Sequence, residues 1–204
     1  MKLVLIPCAP TPWRRAGRLL GRAEVSPAPD AAQVLGSWAQ QLSQFELGPL
    51  LHGPDELSTF TARTLARALR ATARLEPWLI EANLGLWTGL TCEQLAHRFP
   101  SVCAQLQEAP LNIVAPDGES LDAVAQRLRK GFERLAVRRA RGAAGVVLRP
   151  LALALTKCLF APAEADGVWE QVEQPDAPQA IEFDPTKPSE PPRRAADASA
   201  GAER

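Results

Sequence analysis

Two short apolar runs, each followed within two residues by proline, place the strongest limits on how this chain can fold. Residues 3–6 are followed by Pro7, and residues 145–148 are followed by Arg149 and Pro150. Short apolar runs of this kind predict strands that are buried on both faces of a sheet. In an open α/β sheet, residues just beyond the carboxyl ends of strands face the ligand crevice. The two segments that follow these runs are therefore the first places to look for a functional site.

Segments with helical periodicity lie between the predicted strands. Apolar side chains recur at spacings of three and four in residues 31–45, 62–73 and 121–136, and Asp30 is a suitable N-cap for the first of these helices. Residues 78–80 predict another short strand or an extended segment, and residues 169–172 and 180–183 predict a closing hairpin. Because strands alternate with helices, we expect an α/β fold with a mainly parallel sheet covered on both faces, in three layers.

Composition limits the partners and cofactors that can be expected. The 23 basic and 23 acidic residues give a formal net charge of zero, so we expect no nucleic-acid partner and no binding to anionic membranes. No apolar run approaches the length of about 18 residues needed to cross a bilayer, which predicts a cytoplasmic protein. The four cysteines lack metal-ligand spacing, so we predict no metal and no other cofactor. We expect His52 and His97 on the surface or in loops.

The chain divides into one domain and a tail. Residues 1–183 have the apolar content of a single folded domain. Residues 184–204 are dominated by Pro, Ala, Ser, Glu and Arg and cannot bury enough surface to offset the entropy of ordering, so we expect a disordered tail. The run Pro191-Pro192-Arg193-Arg194 predicts that this tail docks a protein partner in an extended conformation.

Four motifs follow one another along the chain: the Thr11–Trp13 loop with Gly17-Arg18, Ser58-Thr59-Phe60-Thr61-Ala62-Arg63, Glu81 followed by Gly85-Leu86-Trp87-Thr88-Gly89-Leu90-Thr91, and Pro116-Asp117-Gly118-Glu119-Ser120. In these motifs and in their order, the chain resembles the histidine phosphatase superfamily, the phosphoglycerate mutase-like proteins. The resemblance covers residues 1–183. It implies a phosphoglycerate mutase-like fold and, as family activity, phosphomonoester hydrolysis or phosphoryl transfer.

The resemblance also implies roles for particular residues. It places Arg63 on a phosphate-binding arginine and Glu81 on the usual proton donor, and it keeps Thr11 in the substrate-binding loop. Arg149 directly precedes the position of the family's second catalytic histidine. If Arg63 and Arg149 both point into the pocket, they could hold a phosphate or carboxylate anion without chemistry. The residues leave open that Arg63 is instead an ordinary arginine on a helix surface.

Other residues occupy the family's catalytic positions. Family members have Arg-His-Gly after the first strand, where this chain has Pro7, Cys8 and Ala9, and their second histidine falls on Pro150. In the family the first histidine attacks phosphorus, and the second histidine and the arginines neutralise charge on the transferred group. Because proline can do neither, we expect a degenerate member that has lost phosphoryl transfer and acts as a ligand-binding or interaction scaffold.

An alternative interpretation keeps catalysis in a rearranged site. Cys8 and Arg14 have the Cys-x5-Arg spacing of cysteine-dependent phosphatases, so Cys8 is the candidate nucleophile of an active phosphomonoester phosphatase or mutase. Such a loop binds phosphate and stabilises its thiolate through successive backbone N–H groups. Pro10 and Pro12 lack those donors, which argues against this alternative.

Overall fold

A five-stranded sheet forms the centre of the computed structural model, which describes residues 2–102, 111, 113–138, 143–160, 167–173 and 177–182. Its strands are β1 (Lys2–Pro7), β2 (Leu47–His52), β3 (Ala73–Leu75), β4 (Ala143–Leu148) and β5 (Gln179–Glu182). Their order is β3-β2-β4-β1-β5, and β1 to β4 pair in parallel while β5 runs antiparallel to β1. The predicted α/β fold with a mainly parallel sheet is therefore confirmed. The predicted tail, residues 184–204, lies outside the described residues.

Helices connect the strands and cover the sheet. In chain order they are α1 (Pro12–Arg15), α2 (Ala31–Leu42), α3 (Glu56–Ala68), α4 (Cys92–Arg98), α5 (Leu121–Arg138), α6 (Pro150–Phe160) and α7 (Val168–Glu173). Thr91 starts α4 with a capping box, because its side chain accepts from Gln94 N–H while the Gln94 side chain accepts from Thr91 N–H. None of the described helices combines the length and the apolar character required to span a bilayer.

The apolar runs of β1 and β4 do not alternate between apolar and polar residues, because both faces of the sheet are covered. In β1, Val4 and Ile6 belong to the core that contains α2 and α3, whereas Leu3 and Leu5 belong to the core that contains α5, α6 and α7. All four side chains are fully buried. Successive residues of a strand point to opposite faces, so a strand between two helical layers must be apolar throughout.

Two predicted elements differ from the structure. Residues 78–80 do not form a strand: Pro77–Leu79 is a turn of 3-10 helix, and the nearby strand is β3, five residues earlier in the chain. Residues 169–172 lie in α7, where Val168 and Val172 are buried one helical turn apart. The predicted closing hairpin is therefore wrong, and β5 pairs with β1 instead.

The carboxyl ends of the strands bring distant parts of the chain together. Pro7 pairs with Leu148, so β1 and β4 end side by side, and Cys8 N–H donates to the carbonyl of Leu148 at 3.0 Å. His52 ends β2 and is only 6% exposed, with Nδ1 2.7 Å from the carbonyl of Gly53. The expectation that His52 lies on the surface or in a loop is therefore wrong, because it occupies the last position of an inner strand.

Candidate functional site

Four polar side chains converge where β1, β2 and β4 end. Cys8 follows β1, Asp55 follows β2, Arg149 follows β4, and Glu81 lies in the segment before the 3-10 turn Gly85–Trp87. Their burial is the main property of the site, because Cys8, Glu81 and Arg149 are 5%, 2% and 0% exposed. Within the described part of the chain, no three His, Cys, Asp or Glu side chains are grouped so that they could hold a metal ion.

The Cys8 thiol lies in the core beneath α3. Its Sγ is 3.2 Å from Ser58 Oγ, and the next backbone N–H, that of Ala9, donates to Thr61 Oγ1 at 2.8 Å. Burial, followed by the negative charge of Asp55, raises the pKa of the Cys8 thiol far above its ordinary value. A nucleophilic cysteine needs a lowered pKa and access to substrate. The surroundings of Cys8 provide neither.

Thr11 serves the loop that contains it. Its side chain is fully buried, and Oγ1 accepts from Arg14 N–H at 3.0 Å, which makes Thr11 the N-cap of α1. Pro12 follows as the first helical residue, where its missing N–H costs nothing. The hydroxyl predicted to contact substrate is therefore used inside the protein to start a short helix.

Glu81 caps helix α6. Its Oε1 accepts from Ala82 N–H at 2.7 Å and from Ala152 N–H at 2.9 Å, and its Oε2 accepts from Leu151 N–H at 2.9 Å. Leu151 and Ala152 belong to the first turn of α6, where backbone N–H groups have no partner within the helix. Burial raises the pKa of Glu81, and these hydrogen bonds and the charge of Arg149 offset part of that effect.

Arg149 is fully buried and neutralised from within the chain. Its Nη1 donates to Asp55 Oδ1 at 3.2 Å, and its Nη2 donates to the carbonyl of Ala23 at 2.8 Å. Asp55 Oδ1 also accepts from Ser58 N–H at 2.9 Å, so Asp55 is the N-cap of α3. Sequence reasoning missed Asp55 because it started this helix too late. The turn signal Gly53-Pro54 followed by Asp could have found it.

Arg63 does not join this cluster. It is exposed on α3, whereas its neighbours Thr61 and Ala62 are fully buried on the face of the helix that packs against the sheet. The structure therefore does not bring Arg63 and Arg149 together around one anion. Pro150, at the position implied for the second histidine, is the first residue of α6 and is partly buried.

Glu119 holds the segment that carries Glu81. Its Oε1 accepts from Asn83 N–H at 2.7 Å and from Arg22 Nη2 at 2.6 Å, and its Oε2 accepts from Arg127 Nη1 at 2.7 Å. Burial alone would raise the pKa of Glu119, but the bonds from Arg127 and Asn83 and the charges of both arginines lower it. The two arginines also bond to the carbonyls of Glu81 and Ile80, so this carboxylate orients the segment that contains Glu81.

Comparisons with known proteins agree with this arrangement of elements. A model of the histidine phosphatase superfamily (branch 1) matches residues 3–189. Phosphoserine phosphatase 1 of Hydrogenobacter thermophilus is 28% identical over 132 residues, a segment that covers 65% of this chain and 62% of that enzyme. The match thus spans less than two thirds of the length of that relative.

Two solved structures share the fold. YhfR of Bacillus stearothermophilus has a TM-score of 0.73 at 19% identity and covers 90% of this chain and 91% of its own. Mycobacterial glucosyl-3-phosphoglycerate phosphatase has a TM-score of 0.69 at 19% identity, with 86% of each chain covered. At such identities the likeness shows the fold alone, but the family model matches most of the sequence. The chain belongs to the histidine phosphatase superfamily, in its branch 1.

Proposed function

We propose that this protein does not transfer phosphoryl groups and acts instead by binding, as an interaction scaffold built on the histidine phosphatase fold. Two of the proteins named above, phosphoserine phosphatase 1 and glucosyl-3-phosphoglycerate phosphatase, are phosphatases, and the proposal concerns only what this chain does with the shared fold. Of the two scaffold roles expected from the sequence, binding an anion between Arg63 and Arg149 loses support, because Arg63 is exposed on α3 whereas Arg149 is buried and bonded to Asp55 and Ala23.

The observation that carries the proposal is the use of Glu81. The resemblance assigns Glu81 to the proton donor, yet both of its oxygens accept backbone N–H bonds, two of them from the first turn of α6. A general acid must place its proton within hydrogen-bond reach of the leaving group. A carboxylate that is 2% exposed and fixed to a helix terminus is poorly placed for that task.

The nucleophile position supports the same proposal. Cys8 and Pro150 stand where the resemblance places the two histidines, and Cys8 is a buried thiol with a raised pKa. Loss of a single charge-stabilising donor lowers enzymatic rates by about a hundredfold to a thousandfold. A site that lacks the nucleophile as well retains too few of its parts for catalysis.

Turnover of p-nitrophenyl phosphate by the purified full chain tests the proposal, with Cys8→Ser and Glu81→Gln as variants. We expect release of nitrophenol at the rate of the buffer for wild type and for both variants. Turnover by wild type that disappears in either variant would establish a working site and overturn the proposal. Turnover that is equal in all three proteins would not come from a site that uses Cys8 or Glu81; its removal by further purification would trace it to a contaminating phosphatase, and its persistence would contradict the proposal.

A further inference from the structure

The buried guanidinium of Arg149 requires a negative partner. The side chain is fully buried, and an isolated charge is costly in the interior of a protein. Its Nη1 donates to Asp55 Oδ1 and its Nη2 to the carbonyl of Ala23, whereas Nε is buried and has no partner in the described part of the chain. Asp55 is thus the charged group that directly contacts this guanidinium.

Two sources of positive potential meet at the Asp55 carboxylate. Oδ1 contacts both Arg149 Nη1 and Ser58 N–H, in the first turn of the 13-residue helix α3. A guanidinium and a helix N-terminus are each favourable for phosphate and carboxylate groups. Among the residues that the structure describes, Oδ2 of Asp55 is buried and has no hydrogen-bond partner, so the carboxylate is not fully satisfied where it lies. The chain therefore places its own anion where an external oxyanion would be stabilised.

Asp55 also lies on the solvent side of the pair. Its side chain is 10% exposed, while that of Arg149 is 0% exposed. An anion that enters from solvent on this side would meet the Asp55 carboxylate first, and the two negative charges repel each other.

We propose that Asp55 is an internal anionic ligand of Arg149, an autoinhibitory contact that excludes phosphate and other small oxyanions from a latent binding site at the ends of β2 and β4. The inference rests on the proposed function and extends it, because it predicts that a site without a nucleophile also takes up no free anion. If Asp55 and Arg149 formed a purely structural ion pair, its loss would instead destabilise the fold equally in every salt.

The variant Asp55→Ser separates these two possibilities. Serine retains an oxygen that can cap Ser58 N–H, and it removes the negative charge. Thermal unfolding is measured in sodium phosphate and in sodium chloride of equal ionic strength, and calorimetric titration with inorganic phosphate follows. We expect wild type to unfold at the same temperature in both salts. The variant should be stabilised, or rescued from precipitation, in phosphate, and should bind phosphate at least about tenfold more tightly than wild type.

Two controls identify the origin of the response. Asp30→Ser removes an aspartate that pairs with Arg15 at the start of α2, in an exposed setting, and should show no phosphate-specific effect. Adding Arg149→Met to Asp55→Ser removes the buried cation and should abolish the response of the single variant. The inference is overturned if wild type itself is stabilised specifically by phosphate. It is also overturned if Asp55→Ser behaves identically in the two salts, whether folded or not.

These outcomes are independent of those that bear on the proposed function. Turnover of a phosphomonoester by wild type would contradict the proposed function, and the phosphate-binding measurements would remain valid. Phosphate-specific stabilisation of wild type without turnover would contradict only the internal ligand.

Discussion

At the scale of single residues, this site is defined by the hydrogen-bond partners of its polar side chains. Glu81 and Arg149 are both found at sequence positions where a reactive site was expected, and both are buried. Their roles follow from partners far away in sequence: Leu151 and Ala152 for Glu81, and Asp55 for Arg149. A motif can locate such residues, but only tertiary contacts show that their polar atoms are already used.

Replacing Glu81 by Gln tests the capping role. The amide oxygen can retain two of the three N–H bonds, but its NH2 group would face a backbone donor, such as Leu151 N–H, and leave it unsatisfied. We expect a loss of about 1–3 kcal/mol in the free energy of unfolding, measured by urea denaturation. Glu46→Gln, in an exposed segment before β2, should change it by no more than about 0.5 kcal/mol.

The same variant should show a definite dependence on pH. Burial raises the pKa of Glu81, so wild-type folding takes up protons and this carboxyl contributes most below its unfolded pKa. That contribution is lost as pH rises through the folded pKa. The stability gap between wild type and Glu81→Gln should therefore be larger in mildly acidic than in neutral solution. Equal stability of the two proteins at both pH values would contradict the capping role.

At the scale of elements, the helix α5 packs closely against the segment that leads to Glu81. The Trp78 ring packs edge-on against Phe132 with ring centroids 4.9 Å apart, and Phe132 in turn contacts Phe160 of α6 at 5.2 Å. Trp78 also covers Gly131, where an added Cβ would overlap the indole ring. Gly131 is therefore required by this close approach, although glycine is a poor residue for the interior of a helix.

The two helical glycines Gly131 and Gly36 should respond in opposite directions to alanine. Gly131→Ala gains helix propensity but forces Trp78 out of its packing, and overpacking of this kind costs about 1–3 kcal/mol. Gly36 in α2 has no atom near the position of a Cβ, so Gly36→Ala should gain up to about 1 kcal/mol. Thermal unfolding of both variants provides the measurement. Stabilisation by both substitutions would show that the contact of Trp78 with Gly131 does not constrain the fold.

The elements that could be predicted are those whose signals are local. The apolar runs of β1 and β4, the periodicity of α2 and α5 and the cap at Thr91 each follow from a few neighbouring residues. The strand β3 has only three residues and the helix α7 only six, too few for a clear period. Tertiary pairing with β2 and packing of Val168 and Val172 decide those two segments.

At the scale of the whole molecule, the carboxyl ends of the inner strands lie between the two helical layers that cover the sheet. Ser58 and Thr61 of α3 reach Cys8 and Ala9 from one face, and α6 directs its first turn at Glu81 from the other. Membership of the histidine phosphatase superfamily could be anticipated from motif order. That the polar groups of the site are already paired and buried could not be anticipated. It depends on the ion pair between Asp55 and Arg149 and on the orientation of α3, which leaves Arg63 exposed to solvent.

A search for a covalent phosphoenzyme tests the central claim most directly. The full chain is incubated with a phosphomonoester in excess, quenched and analysed by intact mass spectrometry and peptide mapping, with Cys8→Ser treated in parallel. A chain whose site has no available nucleophile should keep its unmodified mass throughout. A phosphoryl adduct on Cys8 that is absent from Cys8→Ser, or one on any other side chain of this site, would contradict the claim that phosphoryl transfer has been lost.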